Sequence, residues 1–211
     1  QDQVQPFTEA QTKALEAASQ RTQNPKRDHA LFCVLLDTGE TIACDVLVEA
    51  IGSHTNTEWL EGNDLDLTDG VLTDNDMRAR KQTGEVWPNV FAIGDVARFA
   101  NPLFDDVARR VEHWNIPTDT AKRVAQVFTG QAEGRFAPIP SFWSDQFDVS
   151  LLAYGLLDQG VDITLLEGEV GGDCVYGYYR DGKMVGVCGI GMRQRVMSYR
   201  NKVGLNFDPE S

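Results

Sequence analysis

Hydrophobic and polar positions change rhythm several times along this chain. Residues 8–20, TEAQTKALEAASQ, are rich in helix formers, and Thr8 with Gln11 makes a capping box, so a helix is expected there. Its apolar face is mostly alanine and packs weakly. QNPKRDH at 23–29 breaks the pattern, and two apolar runs follow, ALFCVLLD and TIACDVLVEAIG, joined by Thr38-Gly39-Glu40. They read as a hairpin whose second strand is buried and ends at Gly52. VLTDNDMRARKQTGEVWPNVFAIGD then gives a short strand, a polar excursion and a second buried strand at Val90–Ile93. A helical pattern runs from about 117 to 128, with Pro117 suited to the first turn and Gly130 to the stop.

GQAEGRFAPIPS at 130–141 is dense in Gly and Pro and is expected to mark a domain boundary. Beyond it the texture changes. QFDVSLLAYG, VDITLLEGE, DCVYGYYRDG and KMVGVCGIG are four strand-like runs, and Asp181-Gly182 is a strong type I′ hairpin signal. FWSDQF at 142–147 reads as a strand start with a polar rim. The terminal MRQRVMSYRNKV carries an apolar stripe of Met192, Val196, Tyr199 and Val203, which predicts a helix laid on a sheet. The second unit is therefore expected to be α+β, an antiparallel sheet with one covering helix.

At 211 residues the chain allows one large domain or two small ones with a proper core. A net charge of −13 argues against a general nucleic-acid binder and against an anionic-membrane binder. No apolar run approaches the roughly 20 residues of a spanning helix, and no signal-peptide pattern opens the sequence. Cys33, Cys44, Cys174 and Cys188 form no C-x-x-C pair and read as reduced core residues, which suits a cytoplasmic protein. His29, His54 and His113 show no metal-ligand spacing to cysteine or carboxylate.

The chemistry-bearing stretch is VFAIGDVARFANPL at 90–103, where an apolar run ends in Gly94-Asp95. A carboxylate at the carboxyl end of a sheet strand lies where open α/β sheets bind ligands, and it accepts hydrogen bonds from ribose or ribityl hydroxyls. Gly-Asp also suits an ordinary strand-end turn. Val111-Glu112-His113-Trp114 lies just before the helix at Pro117. A helix start carries free N–H groups and partial positive charge, which suits the electron-rich edge of a reduced flavin. Trp114 reads either as an aromatic wall beside such a ring or as a core residue. Gly171-Gly172 and Gly189-x-Gly191 make no G-x-G-x-x-G motif and are given no phosphate role.

The order VLVEAIG…NT, NVFAIGDVARFANPL, RVEHW and FWSDQ resembles the ferredoxin-reductase-like pyridine nucleotide–disulfide oxidoreductases, of the putidaredoxin, rhodocoxin and biphenyl-dioxygenase reductase type. The resemblance covers about residues 30–203. It departs at Thr55-Asn56-Thr57, where the family usually has Pro-Asn-Thr, and at Asn115-Ile116-Pro117-Thr118, where it usually has an acidic or amide-rich helix start.

The resemblance implies an α/β fold of parallel-sheet type, with a tail of a nucleotide-binding domain at 30–58 and a returning FAD-domain segment at 59–138, followed by an α+β carboxyl-terminal domain at 139–211, with 1–29 an extension. It implies that the dinucleotide loops belong to a front half missing from this sequence. It implies FAD contacts from Gly94, Asp95, Val96, Glu112, His113 and Trp114, with no side chain needed as acid or base and no metal. NAD(P)H would be the donor and an acidic iron–sulfur ferredoxin the acceptor, and the chain alone would lack catalysis. Alternatives are a flavin oxidase or nitrite-reductase-type component, and a non-catalytic dimerisation or docking module. Arg193, Arg195, Arg200 and Lys202 form a candidate docking patch on the terminal helix, with no acidic residue between Met192 and Val203. Open strand edges imply self-association into a homo-oligomer.

Overall fold

In the computed structural model, residues 32–207 are described. The expected helix at 8–20 lies outside them. The chain divides into two compact units, Gln1–Ser53 and His54–Ser211.

In the first unit, β1 (Phe32–Leu35) and β2 (Thr41–Cys44) form the expected antiparallel hairpin, with Leu35 opposite Thr41 and Phe32 opposite Cys44. The turn closes through Leu36 N–H donating to Glu40 O at 2.8 Å. The second strand is shorter and more open than its apolar run suggests. It stops at Cys44, and Val46, Leu47, Val48 and Ile51 are exposed. Among the described residues β1 is the only strand hydrogen-bonded to β2, and their ladder ends with Phe32 opposite Cys44.

The second unit holds two apolar clusters. One gathers Leu65, Val71, Met77, Ala79, Ala92, Ala97, Phe99 and Ile116. Around it lie β3 (Val71–Leu72), β4 (Arg78–Arg80), β5 (Val86–Phe91), β6 (Ala97–Ala100) and β7 (Ala108–Arg110). β6 pairs with β3 in parallel and with β7 antiparallel, and β4 pairs antiparallel with β5. Parallel pairing is thus a two-residue ladder here, less than the expected parallel sheet. Such a sheet needs several strands joined by crossovers, and among the described residues only β3 and β6 run side by side in that sense.

Of the expected buried strand at Val90–Ile93, Val90 and Phe91 close the longer β5 and are half-buried, while Ala92 and Ile93 lie beyond it. Pro88, which cannot donate to a ladder, lies where the β4–β5 register shifts, and Ile93 at the far end is exposed. α1 (Ile116–Phe128) follows, with Pro117 in its first turn. Gly130, at φ +67°, donates its N–H to Val127 O and ends it.

The second cluster is the core of an antiparallel sheet built from β8 (Ser141–Gln146), β9 (Val149–Gly155), β10 (Asp162–Gly168), β11 (Cys174–Arg180) and β12 (Lys183–Ile190), in the order β10-β11-β12-β9-β8. The four strand-like runs became four strands, and FWSDQ added the fifth at the edge. Asp181 and Gly182 have φ of +54° and +74°, the two left-handed residues a type I′ turn requires. α2 (Arg193–Tyr199) and a 3-10 turn at Arg200–Lys202 cover one face. Val196 and Val203 of the predicted stripe are fully buried, with Met192 and Tyr199 packed beside them.

The segment between α1 and β8 has no regular structure, yet it is tightly held. Asn75 donates to Phe136 O, Asn101 to Pro138 O and Asn115 to Ile139 O. Arg123 donates to Glu133 O and Gly134 O. This Gly- and Pro-rich stretch forms no regular ladder for its carbonyls, and long polar side chains satisfy them.

All four cysteines are free. Cys174 and Cys188 are buried, and burial pushes the Cys188 thiol up to about 11, so it is an inert core residue. Cys33 and Cys44 are half-buried. Among the described residues no helix is long and apolar enough to cross a membrane.

Candidate functional site

Gly94, Asp95 and Val96 form a 3-10 turn between β5 and β6. Gly94 sits at φ +73°, a conformation open to glycine and strained for other residues. Its buried N–H donates to Thr120 Oγ1 at 3.0 Å, and the Thr120 hydroxyl donates in turn to Ile116 O at 2.7 Å. The Pro117 ring closes over the same glycine, 3.6 Å from where a Cβ would stand. The carboxylate turn and the start of α1, twenty residues apart in sequence, are therefore one local structure. Val96 packs on the first apolar cluster, while Asp95 is exposed, and among the described residues nothing pairs with its carboxylate.

The start of α1 offers less open backbone than an ideal helix end. Ile116 N–H donates to His113 O at 2.9 Å, Pro117 has no N–H, and Asp119 N–H donates to Asn115 O at 3.0 Å. Among the described residues the Thr118 N–H is the first-turn donor left without a backbone acceptor.

Arg110 joins the remaining pieces. Its guanidinium bonds Asp69 at 2.8 Å and Glu112 at 2.5 Å, and reaches Asp95 O at 3.5 Å. The hydrogen bond with Asp69, more than burial opposes it, raises the Arg110 pKa further. Glu112 thus serves a bridge at the edge of the turn. His113 is half-buried against Phe142, with ring centres 5.2 Å apart, and its Nδ1 has no partner. Burial lowers its pKa and Asp158 pulls the other way, so the neutral imidazole is favoured. Trp114 is 80% exposed and meets Trp143 edge-on at 6.0 Å. Trp114 is therefore a surface ring, not a core residue. RVEHW and FWSDQ, separate in the sequence, are brought together by these two aromatic pairs.

The basic residues of the terminal helix make none of these contacts. All four are exposed. Arg195 pairs with Glu167 at 3.3 Å, Arg200 lies over the Tyr154 ring at 5.8 Å and Lys202 over Phe207 at 5.2 Å. Arg193 has no ion pair among the described residues.

Sequence reasoning missed the residues that hold the site together. Asn115 accepts from Ser141 N–H at 2.9 Å and donates to Ile139 O at 3.0 Å, tying the helix start to β8. Arg123, 6% exposed, reaches Asp76 at 2.6 Å. Burial would raise the Asp76 pKa, but hydrogen bonds from Arg78 and Arg123 outweigh it and keep the carboxylate charged. A signal did exist. Ile116, Thr120 and Arg123 fall at i, i+4 and i+7, so two polar residues share the buried face of α1 with an apolar one. Among the described residues no cluster of His, Cys, Asp or Glu could hold a metal ion.

Residues 4–127 match the pyridine nucleotide-disulphide oxidoreductase family, and 141–209 match the reductase C-terminal family, so the tethered segment falls between the two matches. The chain is 28% identical over 176 residues to the ferredoxin–NAD(+) reductase component of the anthranilate 1,2-dioxygenase system of Burkholderia cepacia, covering 82% of this chain and 41% of that protein. It is 28% identical over 162 residues to monodehydroascorbate reductase of Pisum sativum, covering 72% and 35%. The ferredoxin reductase for the CYP199A2 system from Rhodopseudomonas palustris superposes with a TM-score of 0.73 at 27% identity, over 84% of this chain and 43% of that one. The chain thus spans less than half the length of the relatives it matches. With the family match extending over more than half of its residues, the chain belongs to the pyridine nucleotide-disulphide oxidoreductases.

Proposed function

We propose that residues 59–138 supply the ribityl and ring side of an FAD site, in an enzyme that passes electrons from NAD(P)H to an iron–sulfur ferredoxin. The observation that carries this reading is the uncompensated Asp95 carboxylate fixed beside the start of α1 by the Gly94–Thr120 hydrogen bond. The residues present fit part of the cofactor. An exposed carboxylate suits ribityl hydroxyls, the Thr118 N–H is an open donor, and the exposed Trp114 ring is a flat apolar surface. They do not fit the diphosphate: among the described residues no G-x-G-x-x-G loop joins a strand to a helix.

When bound, FAD would supply the redox chemistry, two-electron exchange with NAD(P)H and one-electron exchange with ferredoxin. The chain's own residues orient and tune. Asp95 holds the sugar chain by accepting hydrogen bonds. Arg110 holds the Asp95 carbonyl, Asp69 and Glu112 in one ion-paired cluster, so the turn keeps its shape under charge. No side chain here moves a proton. Arg193 and Arg200, exposed on the carboxyl-terminal unit, are the proposed contacts for the acidic ferredoxin.

The test is a two-stage assay on the FAD-loaded protein carrying this chain. The account expects NADH or NADPH to bleach the flavin under anaerobic conditions, and a [2Fe–2S] ferredoxin to restore its colour with two equivalents consumed. A flavin that is bleached but transfers nothing to ferredoxin, while reducing oxygen, nitrite or monodehydroascorbate at a useful rate, would overturn the acceptor assignment.

A further inference from the structure

A buried polar side chain on an apolar helix face calls for an explanation, and Thr120 is one. It lies fully inside the molecule, on the turn of α1 nearest the Gly94-Asp95 loop. Its hydroxyl works in both directions: the O–H donates to Ile116 O at 2.7 Å, with Pro117 O also in reach at 3.1 Å, and the oxygen accepts from Gly94 N–H at 3.0 Å. The first bond is one that any helical Thr can make with the preceding turn. The second is different, because it spans 26 residues and ends on the glycine that precedes the candidate flavin carboxylate.

Without that acceptor, the Gly94 N–H would be a buried donor in a left-handed turn with nothing to bond. Such a group costs free energy, and the turn would relax to expose it. Relaxation there moves Asp95, since the two residues share a peptide bond in one 3-10 turn. The second tie on the loop, Arg110 to Asp95 O at 3.5 Å, is long and lies on the other side of the peptide. The loop therefore rests on the Thr120 hydroxyl more than on any other side chain.

We propose that Thr120 is a positioning residue for the flavin site: its hydroxyl sets the Asp95 carboxylate at a fixed offset from the start of α1, so that one sugar chain and one ring edge are met together. Thr120 touches no cofactor and acts only through Gly94 and Asp95. This inference rests on the reading of Asp95 as a ribityl ligand.

The test titrates FAD into the protein that carries this chain and into its T120V, T120S, D95A and T120V/D95A variants. Valine keeps the shape and removes both hydrogen bonds; serine keeps them. T120V is expected to weaken FAD about tenfold, and T120S to stay within about twofold of the parent. The double variant should be no weaker than D95A alone, because the hydroxyl works through that carboxylate. A T120V effect that adds in full to D95A, or no effect of T120V beside a clear effect of D95A, overturns the inference and leaves the Asp95 reading standing. D95A without effect overturns both. A measurement on the unsubstituted protein covers the case in which T120V fails to fold. The Gly94 amide is expected to exchange with deuterium as slowly as the core of β12, and fast exchange there overturns the proposal with no variant needed.

Discussion

Asp105 offers the sharpest test of how the carboxyl-terminal sheet is held to the segment before it. The loop between β6 and β7 carries Leu103 and Phe104 into the second apolar cluster, and Asp105 next to them accepts two hydrogen bonds from Arg109, at 2.5 and 2.8 Å. Arg180 on β11 approaches the same carboxylate at 3.4 Å. The hydrogen bonds from Arg109, opposed by burial, hold its pKa at about 2 instead of the ordinary 3.8. Its side chain is 25% exposed, so solvent screens part of this shift. A depression of this size corresponds to about 2 kcal/mol of stability.

Because the folded pKa lies below the unfolded one, this stability is complete well above pH 3.8. It falls to roughly half by pH 3 and is lost as the pH drops through about 2. The perturbation is D105N, followed by urea denaturation between pH 7 and pH 3. The expected loss is about 2 kcal/mol at pH 7 and about 1 kcal/mol at pH 3. A loss under about 0.5 kcal/mol at pH 7, or one of equal size at both pH values, would refute the reasoning.

Asn115→Ala removes the acceptor of Ser141 N–H and the donor to Ile139 O, and is expected to lower the melting temperature by about 4–8 °C, read by differential scanning calorimetry. Gly182→Ala places a side chain at φ +74° in the β11–β12 turn and should cost about 1 kcal/mol in chemical denaturation. Reversing Arg193 and Arg200 to Glu should slow electron transfer to ferredoxin in stopped-flow mixing. Added salt should shrink the difference, and flavin reduction by NAD(P)H should stay unchanged.

The sequence was most readable where a local signal had a local cause. Asp181-Gly182 predicted its turn because only two left-handed residues close that hairpin, and Pro117 and Gly130 marked α1 because each acts on the backbone at its own position. The apolar stripe from Met192 to Val203 read correctly because one sheet face covers it. The reading failed where the cause lay elsewhere in the chain. TIACDVLVEAIG looked like one buried strand, but a strand is as long and as covered as its neighbours allow, and β1 supports only four residues of it. Val90–Ile93 looked like a strand of its own because the bulge at Pro88 carries no pattern.

At the site, Gly94 and Asp95 stood out by composition and Trp114 by its neighbours. Thr120, Asn115 and Arg123 did not, because their partners lie 26, 24 and 47 residues away and sequence spacing does not reveal such pairs. The polar positions on the buried side of α1 were visible, but hydrophobic periodicity alone treats them as noise.

On the proposed reading, Asp95 and the start of α1 hold the sugar chain and ring edge of one flavin. The measurement that meets it most directly is a crystal structure of the protein carrying this chain with FAD bound. An Asp95 carboxylate oxygen is expected about 2.6–3.2 Å from a ribityl hydroxyl, with the first turn of α1 facing the pyrimidine edge of the ring. A flavin bound elsewhere, with Asp95 still turned to solvent, would contradict it.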